Sequence, residues 1–159
     1  MTVAFVGLGA NLGEPESRVR EALGELDTLP HTRVVKSSSL YRTEPLGYAA
    51  QPPFVNAVAQ LETGLPAERL LAGLHAIEAQ HGRERSFPDA PRTLDLDLLL
   101  FGNLVLDLPG LKIPHPRMHE RAFVLLPLVE IAPEAAIPGR GPASALLEKC
   151  KDQGIGRID

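Results

Sequence analysis

Arg92-Thr93-Leu94-Asp95-Leu96-Asp97 leads directly into Leu98-Leu99-Leu100-Phe101. From Thr93 to Asp97 polar and apolar residues alternate, which is the period of a half-buried strand. Residues i and i+2 of a strand share a face. Asp95 and Asp97 are therefore expected side by side, opposite Leu94 and Leu96. Neighbouring carboxylates repel, so such a pair calls for a cation, a shared proton or nearby arginines. Hard oxygen donors with room for water suit Mg²⁺ carrying a substrate's phosphates. The simpler alternative is a solvated strand face.

Just before this strand the chain supplies Arg83, Arg85 and Arg92 from a loop that also holds Pro88 and Pro91. Arginines flanking a carboxylate pair suit a polyphosphate clamped between metal and guanidinium groups. Further upstream, Leu70, Leu71, Leu74 and Ile77 form one helical stripe after Pro66, and Gly82 is placed to cap the helix. Phe54 to Leu61 reads as a strand, as do Arg33 to Tyr41 and Val3 to Leu8. Pro15 opens an earlier helix with Val19, Leu23 and Leu26 on its apolar side, and Pro30 ends it. Gly7-Leu8-Gly9-Ala10-Asn11-Leu12-Gly13 lacks the spacing of a dinucleotide fingerprint, because Leu12 stands where the third glycine belongs.

Downstream, Gly102-Asn103 is a turn, and Leu104 to Leu106 a short edge strand. Ala122 to Ile131 is an apolar helix made short or kinked by Pro127, and Ala143 to Lys151 is a final helix. The order is β-α-β-β-α-β with a helical C-terminal part. This predicts an α+β fold: a ferredoxin-like core with an antiparallel sheet and extra C-terminal helices. Such a fold decides nothing about chemistry.

Composition sets outer limits. The 159 residues suit a single domain over 1–159 with a real core. A net charge of −4 speaks against a nucleic-acid partner. The single cysteine, Cys150, cannot form an internal disulfide, which fits a cytoplasmic setting. No stretch reads as a signal peptide or membrane span.

Several short motifs in order then carry a likeness. Pro91-Arg92-Thr93-Leu94-Asp95-Leu96-Asp97 is joined by the Gly7 to Gly13 stretch, Tyr41-Arg42-Thr43 with Pro45-Leu46-Gly47, and Phe54-Val55-Asn56-Ala57. Glu78 with Gly82-Arg83-Glu84-Arg85, Ile113-Pro114-His115-Pro116 and Arg121-Ala122-Phe123 complete the set. From Val3 through Ile137 the sequence resembles the 6-hydroxymethyl-7,8-dihydropterin pyrophosphokinases of folate biosynthesis. The resemblance implies transfer of diphosphate from ATP to the pterin hydroxymethyl group, releasing AMP. It implies two Mg²⁺ on Asp95 and Asp97, with Arg83 and Arg92 on the moving group. Glu78, Arg85, Leu98, His115 and Arg121 would bind nucleotide. Phe54 and Phe123 would sandwich the pterin, while Thr43, Pro45, Leu46 and Asn56 line its edge. A monomer is expected, with segments 44–53 and 83–91 closing over ligands.

The chain departs from the family pattern in places. No tryptophan precedes Pro91, and Gly110, Lys112 and Pro116 stand where arginine, threonine and an aromatic residue are common. Two other readings compete. A phosphohydrolase on the same aspartates would need no pterin sandwich, and a ligand-sensing domain would leave the arginines unexplained.

Overall fold

The computed structural model describes residues 1–43, 52–82 and 93–158. The expected loops at 44–53 and 83–91 thus lie outside the described residues, apart from Pro52 and Pro53. So do five expected site residues: Pro45, Leu46, Arg83, Arg85 and Arg92.

The chain runs β1 (Thr2–Ala10), α1 (Pro15–Leu26), β2 (Thr32–Ser37), β3 (Leu40–Thr43), β4 (Phe54–Thr63), α2 (Ala67–Gln80) and β5 (Asp95–Phe101). It continues through β6 (Leu106–Leu108), β7 (Leu111–Ile113), a 3-10 turn (Met118–Glu120) and α3 (Ala122–Ile131). The last elements are β8 (Ala136–Ile137), β9 (Gly141–Pro142), α4 (Ala143–Glu148) and β10 (Ile155–Ile158). The main sheet has the order β10-β3-β4-β1-β5, and β2 also pairs with β4. All these pairings are antiparallel. The result is an α+β fold with an antiparallel sheet.

Two helical layers cover the sheet. On one face Ala4, Val6, Leu8 and Ala10 of β1 pack with Val55, Ala57, Ala59 and Leu61 of β4 against Val19, Leu26, Leu70 and Leu74 of α1 and α2. Leu96 and Leu98 of β5 join them. On the other face Phe5, Val58 and Leu99 pack under Leu125 and Leu128 of α3 and Leu146 of α4. Alternation along the strands divides these two sets, except in β5, where the register against β1 shifts between Phe5 and Val6 and Leu99 and Leu100 both fall in the second set. The helix starts follow the prolines: Pro15 begins α1, and Pro66 is the N-cap of α2.

The end of α2 is tied to α1. Arg18 Nη1 donates to Nδ1 of buried His81 at 3.1 Å, and His81 Nε2 donates to Glu25 Oε1 at 2.6 Å. Gly82 follows at φ +73°, a conformation costly for any residue with a Cβ. This fixes the point at which the chain leaves α2 toward the arginine segment.

Three expectations need correction. The strand expected from Arg33 to Tyr41 is two strands, broken where Ser38 Oγ accepts from Val58 N at 2.9 Å and donates to the Ser39 carbonyl at 2.7 Å. The edge strand expected over Leu104 to Leu106 begins at Leu106 instead and pairs with β7 in a separate hairpin. Leu104 N bonds the Phe101 carbonyl, so the turn continues through Leu104, and Leu104 and Val105 are exposed. Finally, β10 extends the sheet beyond β3, where the sequence suggested no strand.

Helix α3 is held at its far end by Glu130. Its carboxylate accepts from Tyr41 Oη at 2.6 Å, Ser39 N at 3.0 Å and Ser39 Oγ at 2.8 Å. Burial pushes the Tyr41 hydroxyl up to about 12, and the Glu130 carboxylate adds to that shift. Burial works to raise Glu130, but hydrogen bonds from Tyr41 and Ser39, with Arg157 nearby, hold it below its usual range. Tyr41→Phe is expected to cost about 1–2 kcal/mol of stability, the worth of a hydrogen bond to a charged acceptor. The sign with pH follows from linkage. The depressed Glu130 stabilises the fold above its usual value of 4.5, and this is lost as pH falls further. The raised Tyr41 stabilises below 10 and loses that contribution as pH climbs toward about 12. Melting curves should therefore show the variant's deficit at neutral pH and a narrowing gap at both extremes. A gap that stays constant across pH would refute this account.

Candidate functional site

Phe5, Gly7 and Gly9 of β1 share the face toward α3. Two of these three have no side chain, so the sheet is bare toward the C-terminal end of β1. Gly9 lies opposite Asn56 on one side and Asp95 on the other, and Gly7 opposite Val58 and Asp97. Asp95 and Asp97 thus project side by side from β5, each half-buried, as their spacing predicts. Asn56 and Thr43 face them across the glycines. Thr43 Oγ1 donates to Asn56 Oδ1 at 2.8 Å, and both residues are buried. That bond orients the amide with its NH₂ over Gly9. A Cβ on residue 9 would stand 2.8 Å from Asn56 Nδ2, so the close approach requires glycine.

A second hollow lies along the outer side of β5. This cleft of about 270 Å³ is lined by Asp97, Leu98, Lys112, His115 and Pro116, with Leu71 and His75 of α2 on its far wall. His115 is placed by its own backbone, whose N–H bonds the Leu99 carbonyl at 3.0 Å. Its Nδ1 accepts from Arg117 N at 3.3 Å, so the ring proton sits on Nε2. That atom is 4.0 Å from Asp97 Oδ1. Burial pushes the imidazole down to about 4; Arg121 and Arg117 lower it further, and Asp95 opposes. At neutral pH the ring is thus uncharged, and the contact with Asp97 is not an ion pair.

Glu78 lies behind β5. It is buried and does not line the cleft; its Oε2 accepts from Leu96 N at 2.8 Å. Leu96 stands between the two aspartates, so Glu78 braces the strand that presents them. Arg121 and Phe123 lie where α3 begins. The Arg121 guanidinium carbon is 5.3 Å from the centre of the Phe123 ring, a cation–π contact. Phe54, half-buried at the start of β4, belongs to neither core cluster.

The described residues thus bring Asp95, Asp97 and His115 together, with Leu98 in the same cleft. They pair Thr43 with Asn56 and Arg121 with Phe123. His75 lies between stripe positions, so nothing in the sequence marks it for the cleft. Leu71 packs against the first core cluster, as its place in the helical stripe predicts, and also edges the cleft.

Carboxylates beside a neutral imidazole, with cationic side chains at the margins, have the chemical make-up of a site for phosphate esters. The family model described as 7,8-dihydro-6-hydroxymethylpterin-pyrophosphokinase (HPPK) matches residues 5–133, and the chain belongs to that family. Its relatives include the 2-amino-4-hydroxy-6-hydroxymethyldihydropteridine pyrophosphokinase of Pseudomonas aeruginosa, 49% identical over 97% of this chain and 95% of the relative. The enzyme of the same description from Haemophilus influenzae is 41% identical over 96% and 95%. Among solved structures, the Plasmodium falciparum HPPK-DHPS superposes with a TM-score of 0.74 at 15% identity, a likeness of fold. It covers 99% of this chain, which spans 47% of that longer polypeptide. The chain is thus a transferase of folate biosynthesis. It moves diphosphate from ATP to the hydroxymethyl group of 6-hydroxymethyl-7,8-dihydropterin. Among the described residues no helix is long and apolar enough to cross a membrane.

Proposed function

We propose that this transfer takes place over the bare end of β1, between β4, β5 and the start of α3. The carrying observation is the register that sets Gly9 opposite both Asn56 and Asp95. Two strand spacings separate Asn56 from the carboxylates, roughly 10 Å, and Thr43 stands one strand further out. A flat heterocycle with its hydroxymethyl arm fits such a gap, with the heterocycle toward Asn56 and the arm toward the aspartates.

In this reading Thr43 and Asn56, with Pro45 and Leu46, meet the edge of the pterin, and Phe54 and Phe123 take its faces. The nucleotide occupies the cleft beside β5, against Leu98, His115 and Arg121, with Arg85 at its phosphates. Neutral His115 offers its Nε2–H as a hydrogen-bond donor there. Glu78 serves the nucleotide side by bracing Leu96. The pterin oxygen attacks the β-phosphorus in line and AMP departs, with Arg83 and Arg92 on the moving group. Such transfer asks mainly for alignment and charge stabilisation.

Asp95 and Asp97 suit two Mg²⁺. They are hard oxygen donors on one face beside a strand bare of side chains. Among the described residues no three His, Cys, Asp or Glu gather into a metal cluster, so phosphate oxygens and water would complete the coordination. Bound there, the ions would supply positive charge on both sides of the β-phosphorus.

The strand order β5-β1-β4-β3 supports the ferredoxin-like description of the core. The same reading takes 1–159 as one domain, acting as a cytoplasmic monomer with no nucleic-acid or membrane partner.

Product analysis tests the reaction. ATP, Mg²⁺ and 6-hydroxymethyl-7,8-dihydropterin should yield AMP and the pterin diphosphate in equal amounts. Stoichiometric ADP would overturn the diphosphoryl assignment, and phosphate release without pterin would favour hydrolysis.

A further inference from the structure

Gln153 lies near the C-terminus of the chain, outside every motif described above. Its Oε1 accepts from Ala122 N at 2.9 Å, and its Nε2 donates to the Glu120 carbonyl at 2.8 Å. These two peptide groups flank Arg121. Ala122 is the first residue of α3, and Arg121 is its N-cap without a side-chain cap bond. One of the amides that every helix start leaves unpaired is therefore satisfied from a distance of 31 residues. Arg121 has extended backbone, φ −116° and ψ 110°, between the 3-10 turn and the helix. The direction of the chain changes at this one residue, and Gln153 holds it on both sides.

Two residues further on, β10 pairs with β3, with Ile155 opposite Thr43. One short segment thus grips the start of α3 and the strand that carries Thr43.

We propose that Gln153 is a positioning residue. By holding the peptide groups on either side of Arg121, it aims Arg121 and Phe123 into the site, while β10 keeps Thr43 at the matching distance. This rests on the site reading given above. The side chain touches neither substrate; it acts through the backbone of residues 120–122.

The test is binding of 6-hydroxymethylpterin, with a non-hydrolysable ATP analogue present, to three variants. Gln153→Met keeps the volume and removes both hydrogen bonds; its Kd should rise about threefold to tenfold. Gln153→Glu still accepts from Ala122 but sets a carboxylate oxygen against the Glu120 carbonyl, so its Kd should also rise about threefold to tenfold. Leu146→Ala, a core truncation in α4, should lower Tm and leave Kd at the parent value. A Kd for Gln153→Met within twofold of the parent overturns the proposal. So does Leu146→Ala raising Kd as much for the same loss of Tm. If Gln153→Met does not fold, Gln153→Glu decides, and an unchanged Kd overturns it. Amide exchange separates this claim from the site reading. A parent that binds no pterin would sink the site reading alone. Faster exchange at Ala122 in Gln153→Met is still expected then, and unchanged exchange there would refute the role of Gln153 by itself.

Discussion

Asp95→Asn and Asp97→Asn are each expected to lower turnover by roughly a thousandfold or more while leaving the fold intact. That loss corresponds to about 4 kcal/mol of transition-state stabilisation. Asparagine keeps the shape and one oxygen of each side chain and removes its charge. Asp95 and Asp97 share a strand face beside Gly9 and Gly7, so no neighbouring side chain on β1 fills the space in front of them. A cation held there would draw on these two carboxylates, the hard oxygen donors that β5 presents on this face. Adjacent carboxylates also repel, so each free variant should melt no lower than the parent. The measurements are AMP formation against Mg²⁺ concentration and thermal melting. Near-parent turnover at ordinary Mg²⁺ would remove the metal assignment. A large fall in Tm would assign the loss to misfolding instead.

The sequence was most legible where one local period governs the element. Thr93 to Asp97 alternates, and β5 places its two aspartates on one face as that period requires. The Leu70, Leu74 and Ile77 stripe became the buried side of α2, and Ala122–Ile131 is a helix over the bounds expected. Legibility failed where a partner distant in sequence decides. The break at Ser38 depends on Val58, twenty residues away. Strand β10 is Ile155-Gly156-Arg157-Ile158, too short and too mixed to show a period, and it exists because β3 offers an open edge. Glu78 enters the site through the family likeness, and nothing in its sequence neighbours says that it will be buried against the Leu96 amide. Gln153 carries no local signal at all. Its role depends on two peptide groups brought to it by the fold.

Phe123→Ala should weaken pterin binding far more than nucleotide binding. The Phe123 ring is half-buried beside the second core cluster, with the Arg121 guanidinium over one face. A ring has two faces, and in the proposed site the other is offered to the pterin, with Phe54 of β4 on the far side. Removing the ring forfeits stacking of about 0.5–1.5 kcal/mol. It also forfeits about 1.5–3 kcal/mol of buried apolar surface. Together these correspond to a rise in pterin Kd of roughly thirtyfold to two-thousandfold. The nucleotide should feel only the loss of support under Arg121, about 0.5–1 kcal/mol and so a few-fold change. The chain has no tryptophan, so pterin fluorescence can be followed with little background. Phe123→Leu separates the two contributions, since leucine keeps apolar bulk without a π face. Its pterin Kd should lie between those of the parent and Phe123→Ala. If leucine restores parent affinity, burial rather than stacking holds the pterin. If both ligands weaken equally in Phe123→Ala, the ring is core support for α3, and the pterin face must be sought elsewhere.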